Sequence, residues 1–427
     1  MSVGNAPPRE DGCAADIPSV WVQRSVGAMG NVVTGKALAA TAPGRLRPYL
    51  RTRNVFDGRI DLADVLEMPM TDEEFERFQV LPGDALLNEG QSIELVGRCA
   101  MYRGELGSPC AMQNQLVRFR AKSGVSSAFA VHLFRHCQQT GVFGRIALQT
   151  TSIAHLGGKR FERLVLGWPP TEGEQDAIAE ALSETDDLIA SLDLLLRKKR
   201  DVAQGVQQAL LSERVRLTGF AGAWMPRPLG SIARCLRGVT YAGDADLAPD
   251  DTAATRRLLR ANNVQNARIV LEGLQHVNAA RVRPEQILRL DDILICMANG
   301  SKALVGKAGR FLVSDGYDYT FGAFMACLRA DPDRCSPSFV YYLLQTQKYR
   351  DEIAILLAGS TINNLRPSAI EGLEFRIPTD PVEQAAIAAV LSDLDAELEA
   401  LEARRAKTLA IKQGMMQALL TGRIRLK

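Results

Sequence analysis

Two segments of the chain place mostly apolar residues at alternating steps of four and three, which is the spacing of a coiled-coil seam. The first seam consists of Ile178, Leu182, Thr185, Ile189, Leu192, Leu196, Lys199, Ala203, Val206 and Leu210. The second consists of Ile387, Leu391, Leu394, Leu398, Leu401, Arg405, Thr408, Lys412, Met415 and Leu419, and it is more polar in its middle. The pattern therefore predicts two long helices, each of which buries one stripe of side chains.

The residues before each seam indicate where the helices begin. Prolines stand just ahead of both, which favours a sharp entry; they are Pro169, Pro170 and Pro378. We expect Thr171 and Asp380 to cap the helices, with Glu174 and Glu383 three residues further on, as in a capping box. At 1.5 Å per residue, a straight helix over 174–211 is about 57 Å long.

Charge is distributed unevenly along both predicted helices. The acidic first halves hold Glu174, Asp176, Glu180, Glu184, Asp186 and Asp187, and then Glu383, Asp393, Asp395, Glu397 and Glu399. The basic second halves hold Arg197, Lys198, Lys199 and Arg200, and then Arg404, Arg405, Lys407 and Lys412. Antiparallel packing sets acidic halves against basic halves, and many weak surface pairs add up, so we expect that orientation. The alternative is that the polarity only complements the dipole of each helix.

The chain contains an internal repeat at a shift of 209 residues. Between 169–217 and 378–426, 20 of 49 positions are identical without a gap. The same shift relates the "LRxxNV" phrase at Leu50 to the one at Leu259. Near the start the shift is 203, because Trp21 corresponds to Trp224. A repeat of this kind predicts repeated architecture.

The repeat divides the chain into four segments. We expect a first domain over 1–168, with 1–17 flexible, a first helical spacer over 169–217, a second domain over 218–377 and a second spacer over 378–427. The predicted fold class is α+β: two globular domains joined by two long helices that pack as an antiparallel coiled coil, in a pseudo-two-fold tandem repeat. An antiparallel pair would place the two domains at opposite ends, which suits a protein that reads two separated half-sites.

Within the domains, short apolar runs predict strands at 84–88, 115–119, 292–296 and 324–328, and helices at 128–139 and 337–347. Polar loops lie between them, and their small polar residues and arginines could contact phosphates or base edges. The candidate DNA-contacting residues are Arg51, Arg53, Asn54, Gln91, Ser92, Thr150, Thr151, Ser152, Arg260, Asn262, Asn263, Asn299, Ser301, Lys302, Ser360, Thr361 and Asn363. The alternative is that the loops are plain solvated turns and the arginines form structural ion pairs.

Composition narrows the function classes. The net charge of the 427 residues is only +2, so any DNA affinity must come from local basic patches. The chain shows neither an apolar run of membrane-spanning length nor a signal peptide, and its eight cysteines form no CxxC pair. We therefore expect a cytoplasmic protein with reduced, buried cysteines.

Motifs for catalysis or cofactor binding are weak. Gly30–Lys36 resembles a phosphate-binding loop but lacks the Ser/Thr after the lysine. His132 and His136 are one helical turn apart without a second ligand pair, so we expect no metal. There is no phrase for base methylation and no glycine-rich cofactor loop. We therefore predict a non-catalytic chain without a cofactor.

With these residues in view, the chain resembles the specificity subunits of type I restriction–modification systems over nearly its full length. The most specific phrase runs from Ile377-Pro378 through Glu383-Gln384 to the Leu-Leu-Thr-Gly-Arg-Ile-Arg-Leu sequence at 419–426. The first copy departs from it, with Gly167-Trp168 at its entry and Ser212-Glu213 where the second has Thr421-Gly422.

The resemblance implies the biological context. Such subunits bind double-stranded DNA, two modification (methyltransferase) subunits and, in the restricting complex, two helicase–nuclease subunits. Each domain would then be a target recognition domain that reads one half of a bipartite site, while the helices fix the gap between the halves and dock the modification subunits. Glutamines alike in both copies are the candidate partner-binding residues; they are Gln175, Gln204, Gln208, Gln384, Gln413 and Gln417. A coiled-coil scaffold that binds only protein and a stand-alone DNA-modifying enzyme remain the alternatives.

Overall fold

A computed structural model describes residues 21–37, 42–149, 152–358 and 363–426. By its internal contacts the chain divides into a first unit, 1–193 with 403–427, and a second unit, 194–402. Each unit therefore combines one globular domain with parts of both long helices. This agrees with the α+β class expected from the sequence.

Two four-stranded sheets form the centre of the first unit. One is antiparallel throughout, in the order Cys99–Met101, Ala85–Asn88, Leu116–Ala121 and Gly30–Thr34. The other has the order Leu66–Met70, Arg45–Leu50, Cys110–Met112 and Gln79–Val80, with its middle pair parallel. Smaller ladders pair Val22–Ser25 with Val165–Trp168, Val55–Phe56 with Arg59–Ile60, and Ala154–His155 with both Leu148–Gln149 and Gly90–Gln91. The short helices are Val26–Met29, Thr52–Asn54, Asp72–Phe78, Ser127–Gln139, Val142–Ile146 and Gly158–Arg163.

The second unit repeats this plan with a larger central sheet. Its six strands follow the order Ala233–Arg237, Met325–Ala330, Ile293–Cys296, Ala308–Arg310, Arg268–Ile269 and Val264–Gln265. A four-stranded sheet has the order Leu247–Ala248, Gln275–Asn278, Thr255–Leu259 and Tyr319–Phe321, and Trp224–Pro228 pairs with Glu374–Pro378. Short helices are Leu229–Ser231, Gly243–Asp246, Ala261–Asn263, Ala279–Arg281, Pro284–Gln286, Lys302–Leu304, Pro337–Leu343, Gln347–Ala358 and Pro367–Glu371. The repeat extends to register, because Leu50 pairs with Met112 and Leu259 pairs with Phe321 in corresponding parallel ladders.

The four predicted strands are present within one or two residues of their expected limits. The helix predicted over 337–347 is wrong in its end: it stops at Leu343, and another helix begins at Gln347. Thr346 explains the break, since its hydroxyl donates to the carbonyl of Leu343 at 2.7 Å and accepts from the Tyr349 amide at 3.2 Å. One side chain therefore closes the first helix and caps the second.

The two long helices span Glu172–Leu211 and Pro381–Leu419. Thr171 accepts from the Glu174 amide at 3.3 Å, and Asp380 accepts from the Val382 amide at 2.8 Å, so both residues cap as expected. The expected capping boxes are wrong in their second half, because the carboxylates of Glu174 and Glu383 bind arginines and tryptophans instead. Every predicted seam residue of both helices is buried or half-buried.

The helices run antiparallel within each unit. In the first unit Glu174 pairs with Arg425, Asp186 with Lys412, and Asp193 with Arg405. In the second unit Lys199 pairs with Glu397, Arg200 with Glu402, and Arg216 with Glu383. In the first set the position on one helix rises as the position on the other falls, and in the second set positions 199 and 200 pair near 400 whereas position 216 pairs with 383. Both sets show antiparallel packing, which confirms the orientation predicted from charge.

Each domain core continues onto the long helices. In the first unit Phe119 and Phe161 each lie 5.0 Å from Phe134 between ring centroids, and this cluster reaches Leu182 and Leu419. In the second unit the core of Phe339 and Tyr349 reaches Leu210, Ile387 and Leu391. Because burial of each large apolar side chain contributes roughly 1.5–3 kcal/mol, the domains are anchored firmly to the helices.

The cysteines of the described residues are buried, as the sequence predicted. Seven cysteines of the described residues are buried and form no disulfide, and Cys13 lies outside the described residues. Burial raises the pKa of Cys99, Cys235 and Cys335 to about 12, which keeps these thiols protonated. Within the described part of the chain, no helix is long and apolar enough to cross a membrane.

Candidate nucleic-acid interface

The "LRxxNV" phrase forms the same turn in both units. The Asn54 side-chain oxygen accepts from the Arg51 amide at 2.9 Å, and its nitrogen donates to the carbonyls of Asp61 (2.8 Å) and Asp64 (3.1 Å). Asn263 accepts from the Arg260 amide at 2.9 Å and donates to the carbonyls of Val270 and Glu272 at 2.9 and 3.0 Å. Each asparagine therefore ties a short turn to the loop that follows it.

This geometry corrects two of the sequence-based assignments. Asn54 is 1% exposed and Asn263 is fully buried, and the amide groups of both are used by the backbone. A side chain in that state cannot reach a base edge without breaking three hydrogen bonds. We therefore assign both asparagines to the turn and not to DNA contact.

The neighbouring positions differ in accessibility. Arg51 is half-buried and forms an ion pair with Asp64, whereas the side chain of Arg53 is 74% exposed and lies 3.5 Å from the same carboxylate. In the second unit Arg260 is half-buried and donates to the Gly273 carbonyl at 3.4 Å, and Asn262 is exposed. The turns thus present Arg53 and Asn262, at equivalent positions, to solvent.

Four of the predicted residues of the second domain line one cleft of about 950 Å³; they are Arg260, Asn262, Asn299 and Asn363. Asn363 donates to the Gly300 carbonyl at 3.1 Å, and Asn299 accepts from the Ser301 amide at 3.0 Å. None of the described residues that line this cleft is acidic. An amide-rich cleft whose one charged lining residue among those described is an arginine suits hydrogen bonding to base edges and to one phosphate.

The other predicted loop residues are placed less tightly. Ser301 and Lys302 are exposed at the start of a short helix beside the cleft. In the first unit Gln91 is half-buried and pairs with Ala154 in a small ladder, and the carbonyl of Ser92 accepts the amides of a tight turn. Ser152 is exposed just before that ladder, whereas Thr150, Thr151, Ser360 and Thr361 lie outside the described residues.

Two aromatic residues of the cleft were missed by sequence reasoning. Phe324 was placed in a strand, but it lies in the turn before Met325–Ala330 and is 71% exposed. Tyr241 lines the same cleft. The repeat already indicated an exposed position, because position 324 corresponds to the polar Gln115 in the first copy.

The partner-binding assignment needs a similar correction. Gln175 and Gln384 are each 1% exposed, not on an outer helix face. Gln175 accepts from the Ser126 amide at 2.9 Å and donates to the Pro169 carbonyl, and Gln384 makes the same contacts with Ser336 and Pro378. They join a domain helix to the start of a long helix. The other four candidate glutamines, Gln204, Gln208, Gln413 and Gln417, are exposed on the long helices.

A buried charge network couples the first domain to its helices. Arg135 donates to Asp57 at 2.7 Å and to Asp186 at 2.8 Å, and Lys412 also pairs with Asp186. Burial raises the pKa of Asp186, but the hydrogen bonds from Lys412 and Arg135 outweigh it and hold the pKa below its ordinary value. Asp186 therefore stays ionised as the link between the two helices and the domain.

The histidine considered as a metal ligand has a structural contact instead. His132 Nε2 lies 3.0 Å from the Ser183 hydroxyl, and burial together with nearby Arg135 lowers its pKa to about 4. In the part of the chain that the structure describes, no three acidic, histidine or cysteine side chains are grouped to hold a metal ion. Lys36 belongs to the segment that resembles a phosphate-binding loop, and it lies two residues after the strand Gly30–Thr34. Its side chain forms an ion pair with Glu74.

Comparison with known proteins shows which family the chain resembles. Residues 222–410 match the family described as type I restriction modification DNA specificity domain. Over that segment the chain is similar to the type I specificity subunits. The StySPI specificity subunit of Salmonella potsdam is 31% identical over 204 residues, which is 47% of this chain and 42% of that protein. The chain therefore aligns with less than half the length of that relative.

More distant matches extend over the whole specificity subunit. The putative type I restriction enzyme MjaX specificity subunit of Methanocaldococcus jannaschii is 22% identical over 431 residues, covering 96% of this chain and 95% of that one. The crystal structure of the S subunit from M. genitalium superposes with a TM-score of 0.60 at 15% identity, covering 94% of this chain and 96% of that chain. That likeness confirms the fold: two domains of one kind, each packed on long helices.

Proposed function

We propose that this chain reads a bipartite double-stranded DNA target, one half with each domain, and directs methyltransferase and restriction subunits to it in the cytoplasm. The observation that carries the proposal is a common backbone with different exposed side chains. The turn at Arg51 and the turn at Arg260 have matching hydrogen bonds, yet they present Arg53 in one unit and Asn262 in the other. Shared scaffolds with varied surface residues suit the reading of two different base sequences.

The proposal assigns no catalysis to the chain itself. The buried histidine, cysteines and carboxylates described above are held by internal contacts and serve packing. Methylation and cleavage would then belong to the partner subunits. The purified chain alone should neither methylate nor cleave DNA.

Partner binding rests on the repeated helix surface. Gln204 and Gln208 are exposed on the first long helix, and Gln413 and Gln417 occupy the same positions of the second. A surface present twice on one chain suits two copies of one partner. We propose two modification subunits on these surfaces, and two restriction subunits in the restricting complex.

The test is selection of DNA from a library of randomised duplexes by the full chain together with its methyltransferase subunit. Sequencing of the bound fraction should yield two short specified blocks separated by an unspecified spacer. Binding of all duplexes alike would contradict the proposal and favour a scaffold that binds only protein.

A further inference from the structure

The second unit displays an aromatic side chain in a cleft that faces solvent. Phe324 is 71% exposed, which is unusual for a phenylalanine. Its backbone is fixed, because its carbonyl accepts from the amides of Met297 at 2.9 Å and Ala298 at 3.3 Å. The next residue, Met325, is 1% exposed and holds the turn against the core. The ring is therefore presented outward on a rigid support.

The surroundings of Phe324 combine apolar and amide groups. Ala323 and Tyr241 line the cleft beside it, and Asn262, Asn299 and Asn363 contribute amides. Among DNA base pairs, A·T offers partners for both kinds of group in the major groove. The thymine carries a C5-methyl group that apolar side chains contact, and the adenine N6/N7 edge suits an asparagine amide.

We infer that the second domain reads an A·T base pair in its half-site, with Phe324 packed against the thymine methyl group. The exposed Asn262 supplies the amide for the adenine of that pair. This inference rests on the proposed DNA-reading function and names the base pair that the cleft recognises.

The first unit offers a matched contrast. Gln115 occupies the position equivalent to Phe324, and a Cβ built on Gly90 would lie 2.7 Å from its side-chain oxygen. The amide of Gln115 therefore lies over Gly90, next to His155, where a Cβ on Gly90 would be 3.2 Å from the imidazole ring. Hydrogen-bonding groups take the place of the apolar ring there. The thymine-methyl contact should thus be confined to one half-site.

The experiment uses a duplex selected from the randomised library, with each thymine replaced in turn by deoxyuridine, which lacks only the methyl group. For the wild-type chain in complex with its methyltransferase subunit, we expect one thymine of one half-site at which the replacement weakens binding about fourfold, the value of one buried methylene. Phe324→Ala should bind the thymine and deoxyuridine duplexes equally. Gln115→Ala should keep the fourfold difference.

A second variant separates methyl contact from ring stacking. Phe324→Leu keeps an apolar surface, so it should keep part of the thymine preference, whereas stacking on a base would lose affinity for both duplexes alike. Phe324 is exposed, so both variants should unfold at the wild-type urea concentration. A selected half-site without an A·T pair, or Phe324→Ala with an undiminished thymine preference, would overturn the inference while leaving the DNA-reading function intact. Failure of the library to yield any sequence would instead overturn the proposed function, and this inference with it.

Discussion

The buried Asn263, in the turn at Arg260, gives a sharp test of how the candidate interface is built. Asn263→Ala removes three hydrogen bonds, to the Arg260 amide and the carbonyls of Val270 and Glu272. A net contribution of about 1 kcal/mol for each bond gives an expected loss of about 3 kcal/mol in the free energy of unfolding. Because Glu272 is exposed and its carbonyl can bind water instead, the measured loss should be somewhat smaller than the sum of the three bonds.

The matched control lies next to it. Asn262→Ala changes an exposed side chain on the same turn, so its free energy of unfolding should change by less than about 0.5 kcal/mol. Its affinity for the selected DNA should nevertheless fall, whereas Asn263→Ala should lose affinity only in proportion to the loosened turn.

Urea unfolding and hydrogen exchange followed by mass spectrometry measure these effects. In Asn263→Ala the amides of peptides covering 259–272 should exchange faster, because the turn is no longer tied to the loop that follows. Unchanged exchange and unchanged stability in Asn263→Ala would refute the structural role given to this residue. A stability loss in Asn262→Ala as large as that in Asn263→Ala would refute the division between the two positions.

Three further predictions concern other parts of the chain. The pKa of His132 is about 4 in the folded protein, against an ordinary value of 6.5, so the unfolded state binds more protons between these two pH values. The free energy of unfolding should therefore fall by about 2 kcal/mol from pH 7 to pH 5. Urea titrations of His132→Asn should show a smaller fall over the same pH range. Arg53→Gln should weaken binding to all duplexes alike and flatten the log–log salt dependence by about one; an unchanged slope would show that Arg53 contacts no phosphate. The double variant Gln413→Ala, Gln417→Ala should weaken the binding of one of the two methyltransferase subunits, so that native mass spectrometry detects a complex of one specificity chain with one methyltransferase subunit. An undisturbed complex with two methyltransferase subunits would contradict the assignment of this helix surface.

Local periodicity was sufficient to predict the helices. Seam residues such as Leu182 and Leu391 face a partner helix wherever the spacing holds, and the acidic and basic halves specify the direction. These features depend on residues close in sequence or on summed charge, both of which are visible without a structure.

The misassigned site residues depend on contacts that periodicity does not reveal. Gln175 is buried against Ser126, whose amide donates to it from 49 residues earlier in the sequence. Asn54 is buried because the chain returns at Asp61 and Asp64. Phe324 was placed inside a strand because "FMACL" is a continuous apolar run, and only the turn geometry shows that its ring points out of the sheet region into the cleft.

The central claim is that each domain reads its own half of the DNA target. Its most direct test replaces residues 218–377 with the corresponding domain of a known type I specificity subunit and maps methylated sites in a host that also expresses the methyltransferase subunit. The account predicts that one block of the methylated motif changes to that of the donor and the other block stays as in the parent. A motif in which both blocks change, or neither, would contradict it.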